Sequence, residues 1–476
     1  MAEKLFKRVG LFSAALLAGC SMMPVYQRPA TPVAAAWPAS DNPVAGTAGM
    51  PAAEIEWQTF FTDPKLKLLI ETALQSNRDL RIAVLNIEQA RAQVQIRRAD
   101  QFPTVNAVAA GSRQPARATN GDTLISSTYT AGLAITAYEL DFFGRVASLK
   151  EQALAQYLAT AEGRKSAQIS LIGAVANAYL SLLADDELLA LTRQTLVTRE
   201  ESFRLSKLRF DNGVTSELDL RLAESLLETA RVSLAQLTRQ RALDLNALTL
   251  LVGQPLAGEL ALESLSGGRG LASGPLVQDL PAGLPSDLLI RRPDVRQAEQ
   301  LLIASNANIG AARAAFFPRI SLTTSIGSAS SQLGGLFKSG SFGFTLAPQL
   351  LLPIFDAGRN EAGLGSANAG RDIAVAQYEK AIQTAFREVA DALAARDTLG
   401  EQLRAQQAQA NAEAVRFKLA GLRYDNGIAS YLDALDAQRS LFAAQQSLVQ
   451  TRLAQLQSQV TLYKTLGGGW KEPVAQ

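Results

Sequence analysis

The chain has no histidine and a single cysteine among its 476 residues. Without imidazole, histidine-based general acid–base catalysis is excluded, as are the usual zinc sites of imidazole and thiolate. One cysteine cannot form a disulfide within the chain. No sign of charge predominates either: 46 basic residues face 44 acidic ones, so nothing points to a nucleic-acid partner. With four methionines and no histidine, a copper or silver relay is disfavoured. No uninterrupted apolar run reaches eighteen residues, and on that ground a transmembrane-helix protein is excluded.

The lone cysteine is informative by position. Lys4, Lys7 and Arg8 make a basic start, Val9–Ala18 a short apolar run, and Leu17-Ala18-Gly19-Cys20 follows. This resembles a bacterial lipobox, in which residues 1–19 are a signal peptide and Cys20 is lipidated as the mature N-terminus. Ser21, rather than an aspartate, follows Cys20, which in such lipoproteins implies sorting to the outer membrane. Loss of Glu3, Lys4, Lys7 and Arg8 leaves a formally neutral mature chain, 43 basic against 43 acidic residues. Residues 20–64 hold seven prolines without apolar periodicity and read as an extended surface tether.

Beyond the tether, the chain says the same thing twice. Phe203–Asp219 reads FRLSKLRFDNGVTSELD and Phe417–Asp433 reads FKLAGLRYDNGIASYLD, identical at ten of seventeen positions. Asp79-Leu-Arg returns as Asp294-Val-Arg, Phe102-Pro103 as Phe317-Pro318, and Gly253 as Gly467, always at an offset of 214 or 215. A constant offset marks a duplication, with repeats at 65–253 and 286–468, a linker at 254–285 and a tail at 469–476. Each copy ends a helix at Asp-Asn-Gly, where a residue tolerant of φ > 0 lets the chain reverse. Ser216 and Ser430 then act as N-caps, with Asp219 and Asp433 completing capping boxes.

Within each repeat the period changes. Leu66–Phe102 reads as helix with a break near Asn77-Arg78. Thr104–Gly111 and Tyr129–Ala137 read as strands, the latter placing Tyr129, Leu133 and Ile135 on one face. Gly111–Ser127, rich in Gly, Ser, Asn and Asp, reads as the loop between them. In the second copy Ile320, Leu322 and Ile326 alternate with polar residues, as do Phe342, Phe344, Leu346 and Leu350, about a loop at Gly327–Gly340. Phe143–Phe210 and Gly358–Tyr424 each read as one uninterrupted helix, on the order of 100 Å long. Ser216–Leu251 and Ser430–Leu466 are their partners.

Enzyme chemistry finds little support. Gly363-Leu-Gly-Ser-Ala-Asn-Ala-Gly370 faintly resembles a phosphate-binding loop, but no strand leads into it and no Lys-Ser/Thr follows. No cofactor is expected. Four amphipathic strands cannot close a lipid-facing barrel, for which about eight is the observed minimum. Copies must therefore combine.

The Leu-Ala-Gly-Cys lipobox, the paired Asp-Asn-Gly turns, Tyr431-Leu-Asp-Ala-Leu-Asp-Ala-Gln-Arg-Ser-Leu-Phe442 and the stretch Tyr463–Trp470 together resemble TolC-type outer-membrane efflux proteins. The resemblance spans the mature chain and is strongest to the lipoprotein branch typified by OprM. It implies a mainly α fold with a membrane β-barrel: a homotrimer sharing a 12-stranded barrel, four strands per protomer, above a periplasmic α-barrel. Implied partners are a periplasmic adaptor protein, an inner-membrane transporter of RND type and outer-membrane lipid. The implied function is an exit duct for multidrug efflux; a type I protein-secretion duct and a non-pore envelope lipoprotein remain alternatives.

The resemblance also assigns roles. Asp433 and Asp436 would line the pore near its periplasmic entrance, six carboxylates about a three-fold axis favouring cations. Capping alone accounts for Asp433, whereas Asp436 lies one turn further in. Leu432 matches an apolar constriction residue, and Tyr424 a tyrosine that helps hold the entrance shut. Ala429 departs from relatives that carry a basic latch residue there. The turns Asp211-Asn212-Gly213 and Asp425-Asn426-Gly427 would meet the adaptor.

Overall fold

The long helices lie in stretches free of proline. None occurs between Pro115 and Pro255, nor between Pro353 and Pro473, so nothing inside those stretches removes a helical hydrogen bond. The computed structural model describes residues 21–37, 51–117, 123–257, 270–271, 280 and 287–470. The signal peptide with Cys20, most of the 254–285 linker, part of the tether and the tail beyond Trp470 lie outside the described residues.

Three helices, α1 (Trp57–Phe60), α2 (Pro64–Ser76) and α3 (Arg78–Ala99), precede a hairpin of β1 (Val105–Arg117) and β2 (Thr123–Leu140). Then come α4 (Arg145–Asp211) and α5 (Glu217–Val252). A short α6 (Asp287–Arg291) leads to α7 (Pro293–Ala314), a second hairpin of β3 (Arg319–Ser330) and β4 (Phe342–Leu351), and finally α8 (Arg359–Asp425) and α9 (Tyr431–Thr465). Both α4 and α8 are 67 residues long. The same order of long elements thus occurs twice.

The chain divides into two compact units. One contains Met1–Thr31, Asn86–Ala161 and Gln297–Lys380; the other contains Pro32–Leu85, Glu162–Arg296 and Ala381–Gln476. The first carries the sheet, antiparallel in the order β1-β2-β3-β4. Register places Leu133, Ile326 and Phe344 in one row, and Val105, Ile135, Thr324 and Leu346 in the next. These are neighbours on one face because strand side chains alternate. Most of that face is exposed: Leu133, Ile326, Phe344, Leu346 and Leu350 all lie open. The opposite face carries Asn106, Ala134, Ser325 and Thr345. Where β2 meets β3, Gly132 pairs with Gly327, and a Cβ on either would strike the other strand's backbone carbonyl.

Two features of the sheet differ from expectation. Gly111–Ser127 is not mainly loop, since β1 continues to Arg117 and pairs with Thr123. Gly, Asn and Asp are depleted in strands, but here β1 pairs with β2 along its length and the Tyr129 ring covers Gly111 across the pair. Past Ile135 a bulge shifts the register, with Ala137 at φ 52° and its N–H donating to Thr323 Oγ1 at 3.1 Å.

The second unit holds the main helical core. Ile172, Val175, Tyr179, Leu180 and Leu182 of α4 are buried, as are Phe60, Phe61, Leu66, Leu69 and Ile70. Tyr463 of α9 stacks on Phe60 at 3.9 Å, and its hydroxyl donates to the Ile55 carbonyl at 2.6 Å. Asp63 caps α2 by accepting from Lys65 N and also accepts from the Tyr179 hydroxyl. Asn77 explains the predicted break: its Oδ1 accepts from Leu80 N at the start of α3 while its Nδ2 donates to Leu251 O.

One helix is nonetheless apolar over a long window. An 18-residue window of α4 has a mean hydropathy of 1.5, enough by length and composition to cross a membrane. Asn177 and Ser181 interrupt its apolar residues. Some 61% of that window is buried within the protein, which makes it a core segment.

Candidate functional site: the two hairpin turns

Each turn is built from the end of a long helix. Gly213 and Gly427 take φ of +71° and +70°, and their N–H groups donate to Phe210 O and Tyr424 O at 2.9 Å. Val214 N and Ile428 N reach back to Arg209 O and Arg423 O, so each helix ends in a Schellman closure. Glycine alone takes the left-handed position. Asn212 and Asn426 instead cap through their side chains, each Nδ2 donating to the Leu208 or Leu422 carbonyl at 2.7 Å. Asp211 and Asp425 end α4 and α8, and the exposed Val214 and Ile428 follow each turn.

The helices that leave the turns are capped differently. Ser430 and Asp433 form a complete capping box: Asp433 N donates to Ser430 Oγ at 3.3 Å, and Ser430 N to Asp433 Oδ2 at 3.0 Å. At the first turn Asp219 N donates to Ser216 Oγ, and the hydroxyls of Thr215 and Ser216 both donate to Asp219. Those hydroxyls, Thr215 foremost, hold the Asp219 carboxyl below the usual carboxylate range. Ala429 occupies the place of Thr215, so Asp433 has no third partner of that kind.

Asp436 behaves unlike Asp433. It accepts from Arg416 of α8 at 2.7 Å and from Arg439, one turn along α9, at 2.6 Å. The Arg416 guanidinium, with Arg439 beside it, lowers its pKa. Arg416 also donates to Glu413 at 3.1 Å. In this conformation two guanidiniums therefore offset each Asp436. Sequence reading missed Arg416 because it lies twenty residues away across the turn. Arg439 left a usable signal, standing at i+3 on the same helix.

Tyr424 sits in an aromatic and cationic cluster. Its ring lies 5.0 Å from that of Tyr431, and the Arg209 guanidinium stands 5.1 Å over it. The Tyr431 hydroxyl donates to Ser202 O at 3.3 Å. Tyr424 thereby joins α8 to both α4 and α9, within a cation–π distance for Arg209. Leu432, next to Tyr431, is 53% exposed. Deeper along α4, the buried Arg199 donates to Leu226 O at 2.8 Å and lies 5.1 Å from the Phe442 ring centre.

Gly363 and Gly370 fall inside α8, lining a cleft of about 550 Å³ with Asn308, Arg359 and Asn360, and a helix interior has no free N–H groups to cradle phosphate. Among the described residues no group of three acidic, histidine or cysteine side chains is placed to hold a metal.

Comparison with known proteins decides the family. The family model described as outer membrane efflux protein matches residues 69–254 and 284–468. The chain belongs to the outer membrane efflux protein family. It is 50% identical over 469 residues to the probable efflux pump outer membrane protein TtgC of Pseudomonas putida, covering 98% of this chain and 96% of that one. Outer membrane protein OprJ of Pseudomonas aeruginosa is 46% identical over 475 residues, covering 99% and 98%. Among solved structures, the open-state MtrE outer membrane channel of Neisseria gonorrhoeae matches with a TM-score of 0.85 at 40% identity, over 94% of this chain and 98% of that one. This efflux protein thus shares the fold of outer-membrane channels along nearly its full length.

Proposed function

We propose that the chain supplies one third of an outer-membrane exit duct for a tripartite efflux pump. The observation that carries this is the sheet: four strands with one apolar face largely exposed and, among the described residues, no strand paired to the outer edges of β1 and β4. Open strand edges are not tolerated in hydrocarbon, so the sheet needs further copies to close. Three copies give twelve strands. The names of the relatives support efflux over protein secretion. A periplasmic adaptor would dock at the turns Asp211–Gly213 and Asp425–Gly427, with an RND-type transporter beyond it. Cys20 would carry lipid.

In the same reading, the start of α9 forms the entrance. Leu432 and Asp433 face the shared axis, and Tyr424 with Arg209 and Tyr431 holds the hairpins together. Asp436 is kept by Arg416 and Arg439 as an internal clasp between α8 and α9. The duct contributes no catalysis. Conductance in planar lipid bilayers tests the proposal: the purified protein should insert and give discrete conductance steps. A folded, membrane-inserted protein that conducts nothing would leave a structural envelope lipoprotein as the better account.

A further inference from the structure

The duplication sets two arginines at matching positions, and only one of them is paired. Arg145 opens α4, and Arg359 opens α8 at the repeat's offset of 214. Arg145 donates to Glu139 through Nε at 2.8 Å and Nη2 at 2.6 Å, and Arg319 of β3 reaches the same carboxylate at 2.7 Å. Glu139 stands six residues before its arginine; the matching place before Arg359 holds Pro353. In a closed barrel the strand beside β4 would be another copy's β1, where Thr104 matches Arg319 and again brings no carboxylate. Asp356, one turn before Arg359, caps α8 instead: its Oδ1 accepts from Gly358 N and its Oδ2 from Asn360 N, both at 3.0 Å. Glu361, two residues on, faces another side of the helix. Among the described residues, the exposed Arg359 side chain makes no ion pair or hydrogen bond.

Arg359 is also the one charged residue lining the cleft of about 550 Å³ formed by residues of α4, α7 and α8. The rest of its polar lining is Gln152, Ser305, Asn308, Asn360 and Ser366. Gly363 and Gly370 keep it open, since a Cβ at either would meet nothing within 4 Å. Such a volume suits an organic ligand better than a single inorganic ion. The chain's own N-terminal segment lies elsewhere. It runs along the opposite face of α7, where Arg28 donates to Glu299 at 2.7 Å and Asn306 donates to Pro24 O at 2.7 Å. Just ahead of Arg359 in the chain, Ile354 and Phe355 are 93% and 88% exposed. A lone cation among neutral hydrogen-bonding groups thus follows directly on an apolar shelf.

We propose that the Arg359 cleft binds the anionic head of an amphiphile, a carboxylate, phosphate or sulfonate carried on an apolar body, one per chain. The guanidinium offers two parallel N–H donors to such a head. The amides of Gln152 and Asn308 and the hydroxyls of Ser305 and Ser366 complete its shell, so no backbone N–H is needed. Ile354 and Phe355 receive the apolar body. The head has two possible sources, an anionic phospholipid or a solute in the proposed duct. The second source rests on the duct reading; the site itself does not.

Native mass spectrometry of the protein purified in maltoside detergent tests this by counting bound ligands. Decyl phosphate should bind the parent at least tenfold more tightly than Arg359→Gln, about the scale of a lost charge-assisted hydrogen bond. Arg359→Lys should recover part of that affinity. Arg313→Gln removes an exposed cation from α7 outside the cleft and should bind as the parent does. Gly363→Leu fills the cleft but keeps the charge, and should also weaken binding; leucine suits a helix interior better than glycine, so the variant should fold. Competition by phosphatidylglycerol would assign the site to lipid, and its failure to compete would assign the site to a solute. Equal binding by parent and Arg359→Gln, or equal competition by decyltrimethylammonium, would overturn the proposal. So would a loss of trimer stability in Arg359→Gln, because a neighbouring chain's carboxylate would then already hold the arginine. None of these measurements uses conductance, so failure of the duct reading leaves the binding result standing.

Discussion

Replacing Asp436 with asparagine should convert a neutral cluster at the entrance into a positive one. Arg416 and Arg439 each pair with Asp436, and Glu413 pairs with Arg416. Two cations and two anions balance; Asp436→Asn leaves one surplus positive charge per chain, three in a trimer. Asn keeps the shape and can still accept hydrogen bonds, so melting temperature should stay close to that of the parent. The assay is reversal potential across a planar bilayer under a salt gradient. Near 0.01 M salt, where charges act over about 30 Å, the variant should lose cation preference and shift towards anions; near 1 M, with a range of about 3 Å, the difference should vanish. Asp433→Asn should also weaken cation preference, and additionally cost about 1 kcal/mol of stability through its cap. If Asp436→Asn leaves the low-salt reversal potential at the parent value, the charge of the α8–α9 clasp is not felt in the conduction path, and its proposed place beside the entrance fails.

Three further outcomes follow from individual contacts. Ser430→Ala should lower stability by about 1 kcal/mol, and Ser216→Ala by less, because Thr215 still donates to Asp219; denaturant melts of the two variants make the comparison. Tyr463→Ala should cost about 3–5 kcal/mol, as for other large buried aromatics, whereas Tyr463→Phe should cost about 1–3 kcal/mol by orphaning the Ile55 carbonyl. Burial, with the Asp244 carboxyl beside it, raises the Asp185 carboxyl to about 7. The folded protein then keeps a proton that the unfolded chain releases near 3.8, so stability should fall as pH rises between those values and level off above them. Asp185→Asn should flatten that slope in melting curves.

Much of the architecture was legible because the sequence writes it twice. The Asp-Asn-Gly turns, the Ser caps and the proline-free helices rest on local rules, and the structure follows them within a residue or two. What escaped was non-local. A bulge at Ala137 depends on the Thr323 hydroxyl of the neighbouring strand, and the strands through Gly111 depend on a ring from across the pair. The clasp on Asp436 joins residues on opposite sides of a turn. The segment around Tyr26 and Arg28 reads as a bare tether by composition, because its receptor, Glu299, lies 271 positions away. Side chains that act through contacts between distant segments leave no periodicity to read.

The proposed duct closes by combining the four-stranded sheets of three chains. Its most direct test is the mass of the purified protein in detergent, with the detergent contribution subtracted. The account predicts three chains per particle, resistant to dissociation as long as strand content is kept. A monomer that retains its strand content and conducts ions in a bilayer would contradict it.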